Sequence, residues 1–281
     1  MSGIITLTTD FGTADGYVAA MKGVILGINP AAQLIDISHR IQPQNISQAA
    51  FVLNSACRFF PEGTVHLVVV DPGVGTERRA IILRTPQAYF VAPDNGVLSQ
   101  VLWESGQIQL RNRPPANRSG LRKLSPAMTA VVITRPEFWR QPVSATFHGR
   151  DIFAPVAARL SLGASPTDFG EAVSSLRTLP FPETYREAGG RLAGHIRHVD
   201  SFGNLITSLK GDDLPADRES IIIEVGGRRI CGLSETYGEK TGLKALVGSS
   251  GYLEIALSGG SAGAFLGAAV GDEVKISTGN R

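Results

Sequence analysis

The sequence predicts an α/β protein, with an N-terminal parallel-sheet sandwich domain and a smaller C-terminal β-barrel-like domain. Three observations carry that expectation. The first half alternates short apolar runs with stretches of helical period, the pattern of strand–helix–strand units. Its most continuous apolar run is Val65 to Val70 (VHLVVV), which reads as a strand covered on both faces in the middle of a parallel sheet. Beyond Pro180 the helical pattern gives way to short β segments punctuated by glycine. The 281 residues leave room for roughly two domains, expected at 1–183 and 190–281.

In chain order, Ile4 to Thr8 reads as a buried strand. Ala14 to Leu26 follows at helical period and is stopped by Pro30. Gln33 to Ser38 is the next strand, and Ser47 to Phe60 an amphipathic helix ending before Pro61. After VHLVVV come strands at Ala80 to Leu83, Tyr89 to Ala92 and Ala130 to Ile133, with a helix from Val97 to Glu104. Asn112 to Pro126 is polar and rich in Pro and Arg, so a surface excursion is expected there. Ile152 to Leu162 forms a helix that tolerates Pro155 in its first turn. Pro180 to Gly190 has the composition of a linker. The second domain should hold strands at His195 to Val199, Leu205 to Ser208, Ile221 to Val225, Ala245 to Val247, Tyr252 to Ala256 and Glu273 to Ile276.

Composition narrows the function. Lys plus Arg number 27 against 25 Asp plus Glu, a net charge of +2, so charge gives no indication of nucleic-acid binding. The two cysteines, Cys57 and Cys231, are too far apart in sequence for a zinc knuckle and too few for a disulfide framework, which points to a reducing compartment. Asp10 ends the first apolar run before a signal peptide or membrane span develops, so a cytoplasmic location is expected. GVGTERR lacks the spacing and lysine of a phosphate loop, and no dinucleotide-binding GxGxxG spacing is present. His195 and His198, three apart on a strand, face opposite sides and make a poor metal pair.

The informative polar residues follow buried strands. Asp10 ends the first strand in TLTTDFG, and Asp71 ends VHLVVV in VVVDPGVGTERR. Both belong at the carboxyl edge of the sheet, where open α/β folds bind ligands. A carboxylate there can accept ribose hydroxyls or hold a water; each aspartate can equally be a turn or helix cap. Pro72, Gly73 and Gly75 turn the loop tightly, which can return Arg78 to Asp71. His148, in SATFHGRDIFAP, suits a general base or a hydrogen-bond donor. Arg150 and Asp151 read as a structural pair at a helix start. In VDSFGNLITS, Asn204 offers the donor and acceptor that a purine edge requires and Phe202 an apolar contact, although a plain hairpin turn at Gly203 fits as well.

Together DFG, DPGVGTERR, FHGRDIFAP, DSFGN and GSSGYLEIA, in this order from Thr9 to Val274, resemble the S-adenosylmethionine hydroxide adenosyltransferases. These adenosine-forming hydrolases are relatives of the fluorinating and chlorinating enzymes. The resemblance implies hydrolysis of S-adenosyl-L-methionine to adenosine and L-methionine, and a homotrimer with sites between neighbouring subunits. It implies a water-activating set at Asp71, Arg78 and His148, which the halogen-forming relatives lack. It also assigns Asp10 to the ribose hydroxyls, Asn204 and Phe202 to adenine, and Asp200 and Ser249 to the methionine amino and carboxylate groups. Glu254 lies near the nucleoside. Leu257 and Ser258 replace an Arg and an Asn of the halogenating relatives, so contact at Leu257 is left to the backbone, and Gln44 replaces an aromatic residue.

The chemistry suits these residue types. A sulfonium leaves as a neutral thioether and needs no acid, so the requirement is an oriented, activated water. Arg78 stays protonated and favours hydroxide, while Asp71 or His148 takes the proton. No metal or cofactor is called for. The rival readings are a halogenase and a non-catalytic binding protein for S-adenosylmethionine or adenosine.

Overall fold

A computed structural model describes residues 3–104, 119–180, 184–187, 190–239 and 241–279. The chain divides into two compact units, Met1–Pro180 and Phe181–Arg281. The N-terminal unit holds β1 (Ile4–Thr9), α1 (Tyr17–Ile28), β2 (Gln33–Ser38), α2 (Ile46–Cys57), β3 (Thr64–Val69), β4 (Ala80–Arg84) and β5 (Ala88–Pro93). It continues with α3 (Ser99–Glu104), β6 (Gly120–Lys123), β7 (Thr129–Ile133), α4 (Ala154–Ser161), β8 (Gly170–Val173) and β9 (Ser175–Thr178).

Seven of these strands form one sheet in the order β2-β1-β3-β5-β4-β7-β8. Pairings among β2, β1, β3 and β5 are parallel, whereas β5–β4, β4–β7 and β7–β8 are antiparallel. The sheet is therefore mixed: its parallel half is the predicted one, and an antiparallel half is added to it. β3 lies between parallel neighbours and every one of its residues is buried, as its unbroken apolar run predicted. Its side chains divide by the two-residue period of a strand. Val65, Leu67 and Val69 pack with Met21 and Ile25 of α1 and Val156 and Leu160 of α4, while Val68 and Val70 pack with Leu53 of α2 and Leu102 of α3. Each such aliphatic side chain contributes about 1.5–3 kcal/mol by leaving water.

His66 faces the second of these cores, its Nδ1 2.8 Å from the Thr6 hydroxyl and its ring stacked on Phe90 at 4.9 Å. Burial lowers its pKa to about 4 and keeps it neutral. Asn45 caps α2 by accepting the Gln48 N–H at 2.9 Å. A single π-turn, Gly149–Phe153, leads into α4, whose first turn holds Pro155 as expected.

The second unit contains β10 (Tyr185–Arg186), β11 (Leu192–Val199), β12 (Leu205–Lys210), β13 (Ile221–Val225) and β14 (Arg228–Cys231). Then come β15 (Leu243–Val247), β16 (Tyr252–Leu257), α5 (Ala262–Leu266) and β17 (Glu273–Thr278). They pair antiparallel in the order β14-β13-β17-β11-β12-β16-β15, with β10 beside β11. The end strands β14 and β15 approach one another, so the sheet curls into a nearly closed barrel around Ile196, Leu205, Ile223, Leu253 and Ile276. The six strands expected there are all present.

Some expectations fail on segments without a clear period. Within Asn112 to Pro126, residues 112–118 lie outside the described ones; the rest lies at the surface as expected, but Gly120–Lys123 in it is a strand paired with β9. In the stretch taken as a linker, 181–183 and 188–189 lie outside the described residues, and Tyr185–Arg186 pairs with β11. β8, β9, β14 and α5 went unpredicted; the first three are strands of only four residues and the last a single turn and a half, too short for a pattern to rise above composition.

Candidate active site

The parallel register decides where the first polar residues meet. Thr9 pairs with Val69, so Asp10 and Asp71 leave the carboxyl ends of adjacent strands. Asp10 accepts the Gln44 N–H at 2.8 Å, and Gln44 makes that contact from the left-handed region at φ 64°. A non-glycine residue in that conformation costs of order 1–3 kcal/mol.

The Asp71 loop turns twice within its own length. Val74 N–H donates to Asp71 C=O at 3.2 Å, and Thr76 N–H to Gly73 C=O at 3.2 Å. Gly75 takes φ 76°, and a Cβ there would stand 2.5 Å from the Ala145 carbonyl oxygen. Only glycine lets the two loops touch at this point. Arg78 thereby returns to Asp71. Its Nε donates to both carboxylate oxygens at 2.8 and 2.9 Å, and its Nη2 to Oδ2. The same Nη2 donates to His148 Nδ1 at 3.1 Å. Both members of the ion pair are nearly sealed from water, at 10% and 4% side-chain exposure, and the guanidinium lies over the Phe153 ring at 5.0 Å.

His148 is delivered by the π-turn. Gly149 packs so closely that a Cβ would lie 3.2 Å from Met21 Sδ and 3.3 Å from Val69 Cγ1, fixing the turn against α1 and β3. Asp151, fully buried, accepts the Ser144 N–H at 2.9 Å and two Arg150 N–H groups at 2.7 and 2.8 Å, which ties down the segment before His148. Arg150 and Asp151 are the structural pair that was expected. Burial pushes the His148 pKa below its ordinary value, and the Arg78 charge adds to this against Asp71 and Asp151. An arginine can only donate, so Nδ1 of the neutral ring accepts and the ring proton sits on Nε2.

Arg79 turns away. Its Nε donates to Asp94 at 2.9 Å and its Nη2 to the same carboxylate and to the Ser175 carbonyl at 3.0 Å, while Asp94 also accepts the Arg177 N–H at 2.7 Å. One signal was missed in the sequence: Phe11, Tyr17 and Phe147 form a three-ring cluster with centroids 5.3–5.9 Å apart. It joins the loop after Asp10 to the loop before His148.

In the second unit Asp200, Phe202, Asn204 and Leu257 border one cleft of about 770 Å³. Phe202 is 78% exposed, a flat apolar face presented at the rim. Two further lining residues, Tyr237 and Lys244, were not foreseen. Lys244 is 2% exposed and donates to the Tyr237 carbonyl and, at 2.6 Å, to the Ser258 hydroxyl. Glu254 lies behind this wall, where its carboxylate accepts the Tyr237 hydroxyl at 2.5 Å. Burial raises its pKa and the Asp200 charge raises it further, against the hydrogen bond from Tyr237. Ser249 is at the exposed β15–β16 turn and does not line this cleft. Among the described residues no group of three His, Cys, Asp or Glu side chains could hold a metal ion, and no helix is long and apolar enough to cross a membrane.

Comparison with known proteins fits both units. Residues 5–170 match the N-terminal domain of the SAM hydroxide adenosyltransferases, and residues 194–275 match their C-terminal domain. The chain belongs to that family. A relative from Salinispora tropica, named (R)-S-adenosyl-L-methionine hydrolase, is 39% identical and covers 98% of each chain. A fluorinase from an Actinoplanes species is 30% identical over 75% of this chain and 73% of its own. The solved structure of an uncharacterized conserved protein from Thermotoga maritima superposes with a TM-score of 0.83 at 37% identity, covering 97% of this chain and 99% of that one. Within the family, the chain shares more with the hydrolase than with the fluorinase.

Proposed function

We propose that the protein hydrolyses S-adenosyl-L-methionine to adenosine and L-methionine. The observation that carries this reading is Arg78, forked on Asp71 and donating to His148. The water oxygen bonds to the ribose 5′ carbon as the carbon–sulfur bond breaks, and its electron pair leaves with sulfur as the neutral thioether of methionine. The Arg78 charge favours the developing hydroxide. Asp71 takes the proton: a carboxylate has about four lone-pair sites, and the guanidinium fork does not use them all. His148, with Nδ1 occupied, contributes its Nε2–H as a donor that orients the water. Asp10 grips the ribose hydroxyls, Phe202, Asn204 and the Leu257 backbone hold adenine, and Ser249 meets the methionine carboxylate.

The relatives' names specify the (R) sulfonium, which supports the (R) epimer as the substrate here. Attack at the 5′ carbon does not involve the sulfur's configuration, so the choice of epimer must be made by packing around the S-methyl group. We place the protein in the cytoplasm as a homotrimer with neighbouring subunits sharing each site. Free Cys57 and Cys231, the former with its thiol pushed up to about 11 by burial, accord with a reducing compartment, and family membership supports the assembly.

Incubating the purified protein with each sulfonium epimer and separating the products tests the reaction. Adenosine and methionine from the (R) epimer are expected. Methylthioadenosine, a 5′-halogenated nucleoside when halide is added, or no turnover overturns the hydrolase reading; consumption of the (S) epimer alone overturns the stereochemical part. Light scattering at the mass of one or two chains overturns the trimer.

A further inference from the structure

We propose that Asn95 is a positioning residue for the hydrolysis: it holds the strand end from which Asp71 leaves, and so aims that carboxylate at Arg78. This rests on the hydrolase reading and concerns how the water-activating loop is kept in place.

The reason lies in the strand order. β5 stands between β3 and β4, parallel to the first and antiparallel to the second. The chain leaving β3 at Val70 therefore crosses the carboxyl end of β5 before it returns along β4. Two strand spacings make that crossing about 10 Å wide. The crossing is the loop that carries Asp71 and Arg78, and the two residues that follow β5 each hold one of its ends. At the far end, Asp94 N–H donates to the Arg79 carbonyl at 2.9 Å, and the Asp94 carboxylate accepts Arg79 Nε at 2.9 Å. At the near end, Asn95 Nδ2 donates to the Val70 carbonyl, also at 2.9 Å.

The near end bears on the chemistry. Val70 is fully buried, so its carbonyl cannot turn to water when Asn95 is lost. That carbonyl and the Asp71 N–H belong to one planar peptide unit, which ends at Asp71 Cα. Fixing the carbonyl thus fixes the direction in which the Asp71 side chain leaves the strand. The Asn95 amide lies one way round, because a carbonyl only accepts and an N–H only donates. Nδ2 faces Val70, and Oδ1 accepts the Val97 N–H at 3.1 Å. The side chain therefore ties the turn after β5 to the residue before Asp71. Arg78 depends on that aim, since its Nε reaches both carboxylate oxygens while its Nη2 also serves His148. A carboxylate swung out of this fork leaves the water without its base and the guanidinium without its anchor. Asn95 acts through Asp71, so its loss belongs in kcat.

Steady-state kinetics with S-adenosylmethionine on wild type, Asn95→Asp and Asn95→Ser test this, beside adenosine calorimetry and melting temperatures. The aspartate variant keeps the shape and the acceptor for the Val97 N–H, but once ionised it cannot donate to Val70. The serine variant also keeps an acceptor for that N–H and is too short to reach Val70, so it serves if the new charge prevents folding. In both, kcat should fall on the order of tenfold or more, with KM and adenosine affinity within about twofold of wild type. Full kcat in the serine variant overturns the proposal, and a loss confined to the aspartate variant would mean that charge, not the hydrogen bond, is at work. A lower melting temperature with unchanged kcat would make the bond merely structural. Raised KM and weakened adenosine at unchanged kcat would place Asn95 with substrate binding and overturn it as well. Wild type without turnover would instead remove the hydrolase reading, and with it the reaction that Asn95 serves.

Discussion

The polar clusters of the two units are assembled by opposite means. Asp71, Arg78 and His148 come from positions 7 and 70 residues apart and meet only because a parallel sheet and two glycine contacts bring their loops together. Asp200 and Asn204 lie four residues apart and are joined within one turn. The first cluster is a sealed ion pair with an imidazole, and the second is an amide set by a carboxylate at the edge of a cleft. A cluster built over long range fails when packing far from it is disturbed, whereas a locally closed one fails only when its own turn is cut.

The comparison can be broken most severely at Arg78. Arg78→Ala removes the charge beside the water and should lower kcat by a factor on the order of 10² or more at saturating substrate. Arg78→Lys should restore little, since a point charge reproduces neither the fork on Asp71 nor the simultaneous donation to His148. Full activity in the lysine variant would show that charge alone is enough. Gly75→Ala tests the long-range assembly itself. The new methyl meets the Ala145 carbonyl in a backbone conformation that alanine avoids, so kcat should fall on the order of tenfold together with the melting temperature. An unchanged kcat would mean that the two loops do not depend on that contact.

Phe202→Ala addresses the other cluster. Loss of a stacked base contact, worth about 1–3 kcal/mol, should raise KM roughly tenfold and leave kcat near wild type. A fall in kcat alone would place Phe202 with the reacting atoms. Arg79→Ala should keep kcat within a few-fold of wild type, but Arg79 is more than a bystander in its loop. Its loss strands the buried Asp94 carboxylate and should lower thermal stability by a few kcal/mol or less, as Arg79 itself is partly exposed. If Arg79→Ala loses more turnover than Arg78→Ala, the catalytic assignment belongs to the wrong arginine. The smallest effect is on pH. Because His148 titrates below the ordinary 6.5, its neutral form persists as pH falls past that value. Turnover should stay level from pH 8 to 6.5 and decline only below it, as the protonated ring loses the Nδ1 acceptor that Arg78 uses. A decline beginning above pH 7 would contradict that role.

Much of the architecture was legible because it is written in periodicity. The continuous run around Leu67, short and rich in β-branched residues, reads as a doubly covered strand, and Met21 and Ile25 recur at helical spacing, so the parallel half of the sheet and its helices follow from local pattern. The two aspartates could be assigned to the carboxyl edge for the same reason, since each directly follows such a run. The antiparallel additions β6, β8 and β9 could not, because strands of four residues carry too little pattern and are stabilised by the partner they happen to meet.

Within the sites the division is similar. By itself the sequence determined which residue types were available and that Asp10 and Asp71 follow buried strands. Tertiary structure alone decided that Arg78 reaches both Asp71 and His148, that Arg79 serves Asp94, and that Lys244 and Tyr237 enter the cleft wall. It also decided that Asp200 accepts three N–H groups of its own turn. The physical reason is that hydrogen bonds and ion pairs act over about 3 Å and depend on direction, whereas hydrophobic burial is non-directional and leaves its trace in the order of residues.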